Sequence, residues 1–167
     1  MVVPARITTM GFSDKMRETL GSEGARIDVL TDDEGWAARL APGQAGQAKV
    51  RLSGGTKTAR VEGVMFYVLI RHRQWSDGQG MVFTDEQASE LEDRRHLTPS
   101  WTRELLAQVR VAVHEEVEPG DEREVSVDLD LPEHCDRTSA ACTINILAQA
   151  DIRGQIDPTA TGKLLVA

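Results

Sequence analysis

Residues 124–131, Glu-Val-Ser-Val-Asp-Leu-Asp-Leu, alternate polar and apolar side chains without a break. A period of two places every apolar side chain on the same face of an extended chain, so this segment predicts a half-buried β-strand. Pro132 follows directly, and it ends the strand because proline has no backbone N–H to donate to a sheet. This is the clearest strand of the sequence, and its pattern recurs elsewhere.

The alternation continues on both sides of this segment. A double glycine, Gly54-Gly55, predicts a hairpin turn, and the apolar run 64–70 predicts a strand covered on both faces. Strands are predicted at residues 26–29, 49–52, 58–72, 105–113, 144–150 and 163–166. Because about seven strands follow one another without alternating helices, we expect an all-β protein with an antiparallel, immunoglobulin-like β-sandwich.

A short N-terminal helix is predicted ahead of the sandwich. Apolar residues recur at helical spacing within residues 12–20, and Ser13 can cap the first turn. We therefore divide the chain into an N-terminal extension, residues 1–24, and a sandwich domain, residues 25–167.

A helical insert is predicted at about residues 73–104, between two strands. Thr84 and Gln87 have the spacing of a capping box, and a polar helix is expected from there to about Arg94. A tryptophan stands near each end of the insert and is expected to rest on the sheet: Trp75 and Trp101.

The charge balance excludes several classes of partner. The chain has 19 Lys and Arg against 27 Asp and Glu, a formal net charge of −8. An acidic protein is poorly suited to neutralise nucleic-acid phosphates or to bind an anionic membrane. No segment approaches the roughly 20 apolar residues of a spanning helix, and residues 1–11 lack the apolar core of a signal peptide. We expect a cytoplasmic protein without a nucleic-acid partner.

No catalytic motif is present in the sequence. Neither a phosphate-binding glycine loop nor a Gly-x-Ser-x-Gly elbow occurs. The acidic pair Asp128 and Asp130 alternates with apolar residues, so both carboxylates are expected to face solvent. The histidines fall in different predicted elements: His72, His96, His114 and His134. We predict a non-enzymatic protein without a cofactor.

The two cysteines, Cys135 and Cys142, are expected to be free thiols, because disulfides are rare in a reducing cytosol. His134 adjoins Cys135, but two thiols and one imidazole fall short of a zinc site, which uses three or four protein ligands. No metal site is predicted.

Four stretches of the sequence resemble the SpoOM-type sporulation-control proteins, which have arrestin-like folds. They are Ala-Arg-Ile-Asp at 25–28, the turn, paired strands and double glycine of 42–71, the strand ending in Leu-Pro at 118–132, and the Asp-Ile and Asp-Pro pairs of 151–159. The resemblance implies a regulatory binding protein acting on sporulation or cell-cycle machinery. It covers the first of the two lobes typical of that family.

The leading functional hypothesis is a protein-interaction domain that binds a partner through a sheet edge or face. The candidate interface comprises Arg71, Arg73, Trp75 and Trp101. The alternative is a small-ligand or carbohydrate-binding sandwich that uses aromatic side chains as stacking platforms: Tyr67, Trp75 and Trp101.

Opposite charges concentrate in two blocks, basic at 49–73 and acidic at 115–133. They either pair within the chain, with Lys49 and Arg51 opposite Asp128 and Asp130 on adjacent strands, or steer a partner.

A homodimer is also expected, because the apolar segment 164–167 predicts a terminal strand that leaves an uncovered edge. The alternative is that the predicted insert folds over this edge and keeps the chain monomeric.

Overall fold

The computed structural model describes residues 24–41, 45–130 and 139–166. Within them the chain is mostly strand, with one short helix. In chain order the elements are β1 Arg26–Val29, β2 Trp36–Leu40, β3 Ala45–Ser53, β4 Ala59–Ser76, β5 Val82–Thr84, α1 Asp85–Ser89, β6 Thr98–Val117, β7 Glu122–Asp130, β8 Cys142–Ile152 and β9 Thr159–Val166.

The strands form two sheets that share one core. The small sheet has the order β1-β3-β7, and both of its pairs are antiparallel. The large sheet runs β2-β9-β8-β4, and β6 lies along the other side of β4. β5 takes the place of β8 beside the far end of β4. The predicted all-β architecture is confirmed, with one parallel pair, β2 with β9, in an otherwise antiparallel arrangement.

The core is built on the inner face of β4. Four side chains form its inner row, each at most 1% exposed: Val64, Phe66, Val68 and Ile70. They pack with the apolar faces of β3, β7 and β8. The alternate residues face outward and are only partly buried: Met65, Tyr67 and Leu69. The expectation that this run is covered on both faces is therefore wrong, because the small sheet packs on one side only.

β3 and β7 are adjacent, but the predicted charge pairs do not form between them. Neither Lys49 nor Arg51 lies opposite Asp128 or Asp130 in the antiparallel register. Arg51 instead forms an ion pair with Glu122, with 3.5 Å between Nε and Oε2. A shift by an even number of residues keeps every apolar side chain on the core face, so alternation alone does not select the register.

Much of the predicted insert at 73–104 is strand. β4 continues to Ser76 and β6 begins at Thr98, so Trp75 and Trp101 belong to the two long strands. β4 and β6 form a long hairpin, and β5, α1 and their connections form its tip. The tip therefore extends an existing strand pair.

Helix α1 begins as predicted and ends early. The Thr84 side chain accepts a hydrogen bond from the Gln87 backbone N–H at 3.1 Å, and the Gln87 side chain accepts one from the Thr84 N–H at 3.0 Å. The helix ends at Ser89, not at about Arg94. Ala88 is its buried residue, so no apolar stripe anchors further turns.

The predicted helix at 12–20 and the loop containing His134 and Cys135 lie outside the described residues. Cys142, at the start of β8, is disulfide-bonded, so the prediction of free thiols is wrong. That prediction used the expected compartment alone, whereas pairing depends on which sulfur atoms the fold brings together. Within the described ranges, no group of three His, Cys, Asp or Glu side chains is placed to hold a metal ion.

The last strand is not an uncovered edge. β9 pairs with β8 on one side and with β2 on the other, and both Leu164 and Val166 are buried. The chain crosses from the small sheet into β2, which then covers the far side of β9. The strand that was expected to drive dimerisation is thus an interior strand.

Glu62 gathers three basic side chains at an irregularity in β4. The pairing of β4 with both β6 and β8 shifts at this residue, and His114 on β6 adopts a φ of 49° nearby. The Glu62 carboxylate lies 3.1 Å from Arg60 Nε, 3.1 Å from His114 Nδ1 and 3.3 Å from Arg153 Nε. The hydrogen bond from Arg60, followed by that with His114, lowers the pKa of Glu62 below its ordinary value.

Replacing residues 77–97 with a short Gly-Ser loop should leave the sandwich folded, because Ser76 and Thr98 already face each other across β4 and β6. The deletion removes the buried Ala88 and Leu97, the pairing of β5 with β4, and the hydrogen bonds that Asp85 accepts from β4. We expect a stability loss of no more than about 2 kcal/mol, or about 4–8 °C in thermal midpoint. Circular dichroism melting measures it. A variant that forms only aggregates would place the tip in the folding core.

The Glu62→Gln variant should be less stable than the parent at neutral pH and equally stable in acid. A carboxyl group whose pKa is lowered by folding stabilises the fold above its unfolded pKa, and this contribution disappears as pH falls through the folded pKa. The two melting curves should therefore converge as pH falls below the ordinary value of 4.5. Thermal midpoints across this range test this, with the exposed Glu92→Gln as control. A constant offset between E62Q and parent would contradict the assignment.

Candidate functional site

The predicted interface residues meet at the far end of the β4–β6 pair. Arg71, Arg73 and Trp75 alternate along β4 and therefore share its outer face, and Trp101 lies opposite Arg73 on β6. We call these four side chains the arginine–tryptophan cluster. The strands hold it in place, because each of the four lies on a paired strand and not in a loop.

Cation–π contacts organise the cluster. The guanidinium carbon of Arg71 lies 4.3 Å from the Trp101 ring centroid, and that of Arg73 lies 5.3 Å from Trp75 and 5.9 Å from Trp101. Contacts of this kind stabilise exposed sites by about 0.5–1 kcal/mol each. Trp101 stays 41% exposed, so the cluster presents an aromatic surface to solvent with a guanidinium over one ring face.

Asp85, at the start of α1, completes one half of the cluster. Its Oδ1 accepts hydrogen bonds from Arg73 Nε at 2.7 Å and from Trp75 Nε1 at 2.9 Å. The hydrogen bond from Arg73, followed by that from Trp75, lowers the pKa of Asp85 below its ordinary value. Asp85 in turn raises the pKa of Arg73.

Sequence reasoning did not assign a role to Asp85. The capping box placed it in the first turn of a helix, where acids are common. Nothing in the sequence indicated that this turn folds back onto Arg73 and Trp75.

Arg103 was also absent from the sequence prediction. It lies directly opposite Arg71 in the β4–β6 register. We call Arg71 and Arg103 the arginine pair. Like charges placed opposite each other on one sheet face are destabilising, and no ion pair with a carboxylate is formed by either arginine within the described part of the chain.

The aromatic residues do not form an open stacking row. Arg71 covers one face of Trp101, and the indole N–H of Trp75 is bound by Asp85. Tyr67 lies on the same face of β4 but four residues from Arg71, which is about 13 Å along a strand. This arrangement disfavours a carbohydrate platform made by Tyr67, Trp75 and Trp101.

Among the described strands, β6 lies at an edge of the large sheet, beside the cluster. It has 20 residues and pairs with β4 on one side. Its stretch 105–109, Leu-Leu-Ala-Gln-Val, carries no charge, and two of its apolar side chains are well exposed: Leu105 at 49% and Val109 at 36%. Sequence reasoning predicted this strand but not its position at an edge.

In the described ranges, no helix is long and apolar enough to cross a membrane.

Comparison with solved structures finds a related fold in a sporulation control protein. The sporulation control protein Spo0M from Bacillus subtilis matches with a TM-score of 0.60 and 17% sequence identity, over 86% of this chain and 49% of that one. This chain therefore spans about half the length of that protein.

Two further structures match with TM-scores below 0.5. A CARDB domain from Pyrococcus furiosus, in complex with di-metal ions, has a TM-score of 0.42 and 10% identity over 89% of this chain and 91% of its own. AvmM, which catalyses macrocyclization in alchivemycin A biosynthesis, has a TM-score of 0.45 and 7% identity over 87% of this chain and 89% of its own. Neither carries a functional argument.

The family comparison agrees with the resemblance in the sequence. No curated protein matches the chain significantly. The family described as SpoOM protein matches residues 13–167, which is most of the chain. With the related fold of the Bacillus subtilis protein, this match shows that the chain belongs to the SpoOM protein family.

Proposed function

We propose that this chain is a non-enzymatic regulatory domain that binds a protein partner by adding a strand of that partner to the β6 edge. The partner would extend onto the arginine–tryptophan cluster. The observation that carries the proposal is the uncharged stretch 105–109 on a long edge strand. Unpaired backbone groups on such an edge offer hydrogen bonds to an incoming strand.

The other edges are less suited to this role. β2 has five residues, and Arg39 within it is paired with Asp32 and Glu34. β1 has four residues. β7 alternates buried apolar residues with exposed acids, which protect an edge from unintended pairing. β6 combines length with exposed apolar side chains.

The biological context of this binding is regulatory. The Bacillus subtilis relative is named a sporulation control protein, and family membership supports a related role here. We propose that the partner belongs to sporulation or cell-cycle machinery. The cytoplasmic location and the arrestin-like character of the lobe stay predictions.

A second copy of the chain is the competing occupant of the same edge. Two β6 strands paired around a two-fold axis would cover the uncharged stretch 105–109 of one copy with that of the other. The homodimer predicted from the sequence would then form through β6, since β9 is an interior strand.

The double variant Leu105→Lys, Val109→Lys should lose the partner and keep the fold. Both side chains are exposed, so we expect a stability change within about 0.5 kcal/mol for each substitution. The measurement is quantitative co-purification of cross-linked partners from the source organism. Ile156→Lys, at a position that is 63% exposed outside the strands, is the matched control.

Light scattering of the same proteins separates the two occupants. A parent mass of one chain at all concentrations supports a different protein as partner. A parent mass of two chains that falls to one in the double variant supports self-pairing. Partners retained equally by parent, double variant and control would overturn the β6 edge as the binding site.

A further inference from the structure

The arginine pair lies within a continuous row on the outer face of the β4–β6 edge. Trp101, Arg103 and Leu105 alternate along β6 and therefore point to the same side. Opposite them on β4 lie Arg73, Arg71 and Leu69 respectively. The row thus consists of three pairs of opposite residues, about 7 Å apart along the strands. We call them the aromatic step (Trp101 and Arg73), the cationic step (Arg103 and Arg71) and the apolar step (Leu105 and Leu69).

The cationic step is not neutralised within the described residues. Arg71 contacts the Trp101 ring and Arg103 faces Arg71, while the neighbouring Arg73 has the carboxylate of Asp85. Placing two arginines at directly opposite positions on one face of a sheet costs stability. An anion placed between them would remove that repulsion and gain charge-assisted hydrogen bonds.

Asp85 shows which anion this surface accommodates. Its carboxylate oxygen is held by an arginine and a tryptophan side chain of β4, at 2.7 Å and 2.9 Å. The arginine pair with Trp101 presents similar chemistry one step further along the same strands. The tip helix supplies a carboxylate to the first site, and the second lacks one among the described side chains.

The cation–π contact of Arg71 with Trp101 holds a guanidinium, a planar group with several N–H donors, at this position. The guanidinium carbon lies 4.3 Å from the ring centroid, and no hydrogen bond from the Arg71 guanidinium is formed within the described residues, so its N–H donors can serve a ligand. Edge donors of this kind bind the two oxygens of a carboxylate in parallel. A lysine in the same place would supply charge without this fork.

We propose that the arginine pair and Trp101 bind a carboxylate side chain of an acidic peptide strand paired with β6. An apolar side chain of that strand, two residues from the acid, packs against the exposed Leu105. The inference rests on the proposed function, because it names the chemistry of the partner at the same edge. Period-two spacing follows from the alternation of Trp101, Arg103 and Leu105.

Fluorescence anisotropy with a labelled synthetic peptide of alternating valine and glutamate tests this proposal on the full chain. The peptide should bind, and a version with glutamine in place of glutamate should bind at least about tenfold more weakly, which corresponds to 1.4 kcal/mol. Arg71→Gln and Arg103→Gln should each bring the glutamate peptide down to the affinity of the glutamine peptide. Arg103→Lys should give an intermediate loss.

Two controls separate recognition from folding. Arg26→Gln, an exposed arginine on β1, should bind the peptide as the parent does. Arg103→Gln should melt at or above the temperature of the parent, because it removes like-charge repulsion. A lower melting temperature for Arg103→Gln would indicate a structural role and count against the proposal.

The remaining outcomes distinguish a failure of this inference from a failure of the proposed function. Glutamate and glutamine peptides that bind equally, with binding lost only in the Leu105→Lys, Val109→Lys variant, would overturn the carboxylate site and leave the β6 edge as a binding site. A phosphoserine peptide that binds while the glutamate peptide does not would replace carboxylate by phosphate and overturn the proposal. Failure of every peptide to bind would also overturn it, whereas partner co-purification tests the proposed function independently.

Discussion

The inner row of β4 is the constraint on which the rest of the structure depends. Val64, Phe66, Val68 and Ile70 are buried against the small sheet, and β4 is held in the large sheet by β6 on one side and β8 on the other. Burying one such side chain stabilises a fold by about 1.5–3 kcal/mol. Once this row faces inward, the alternate residues must face outward, and this parity places Arg71, Arg73 and Trp75 together on the outer surface.

The length of β4 explains why a functional surface lies beyond the core. The strand has 18 residues, and its pairing with β8 ends at His72, so its last residues project past the sandwich with β6 and β5 beside them. There the apolar inner row stops and charged and aromatic residues take over. The tip helix contributes little burial beyond Ala88, but it brings Asp85 to Arg73 and Trp75. Fold stability and the candidate site are thus carried by different parts of one strand pair.

Irregularities in the same strand pair adjust its geometry. The pairing of β4 with β6 shifts once at Glu62 and again between Val68 and Leu69. The first shift is accompanied by the ion-pair cluster around Glu62 and by the positive φ of His114. The second brings Leu105 opposite Leu69 and so sets which β6 residues share a face with the arginine pair. A bulge adds one residue to one strand and thereby changes which side chains lie together beyond it.

Local sequence determined the strands, because alternation is a property of neighbouring residues and needs no knowledge of the fold. It therefore predicted the β-sandwich, the strand of 124–131, the capping box of Thr84 and Gln87, and a candidate interface whose four members do lie together. The tertiary structure alone decided register, edges and distant partners. These depend on interactions between segments far apart in the chain: β9 became an interior strand, β6 an edge, and Arg51 a partner of Glu122. Asp85 and Arg103 escaped sequence reasoning for the same reason, since each gains its significance from a strand neighbour more than ten residues away.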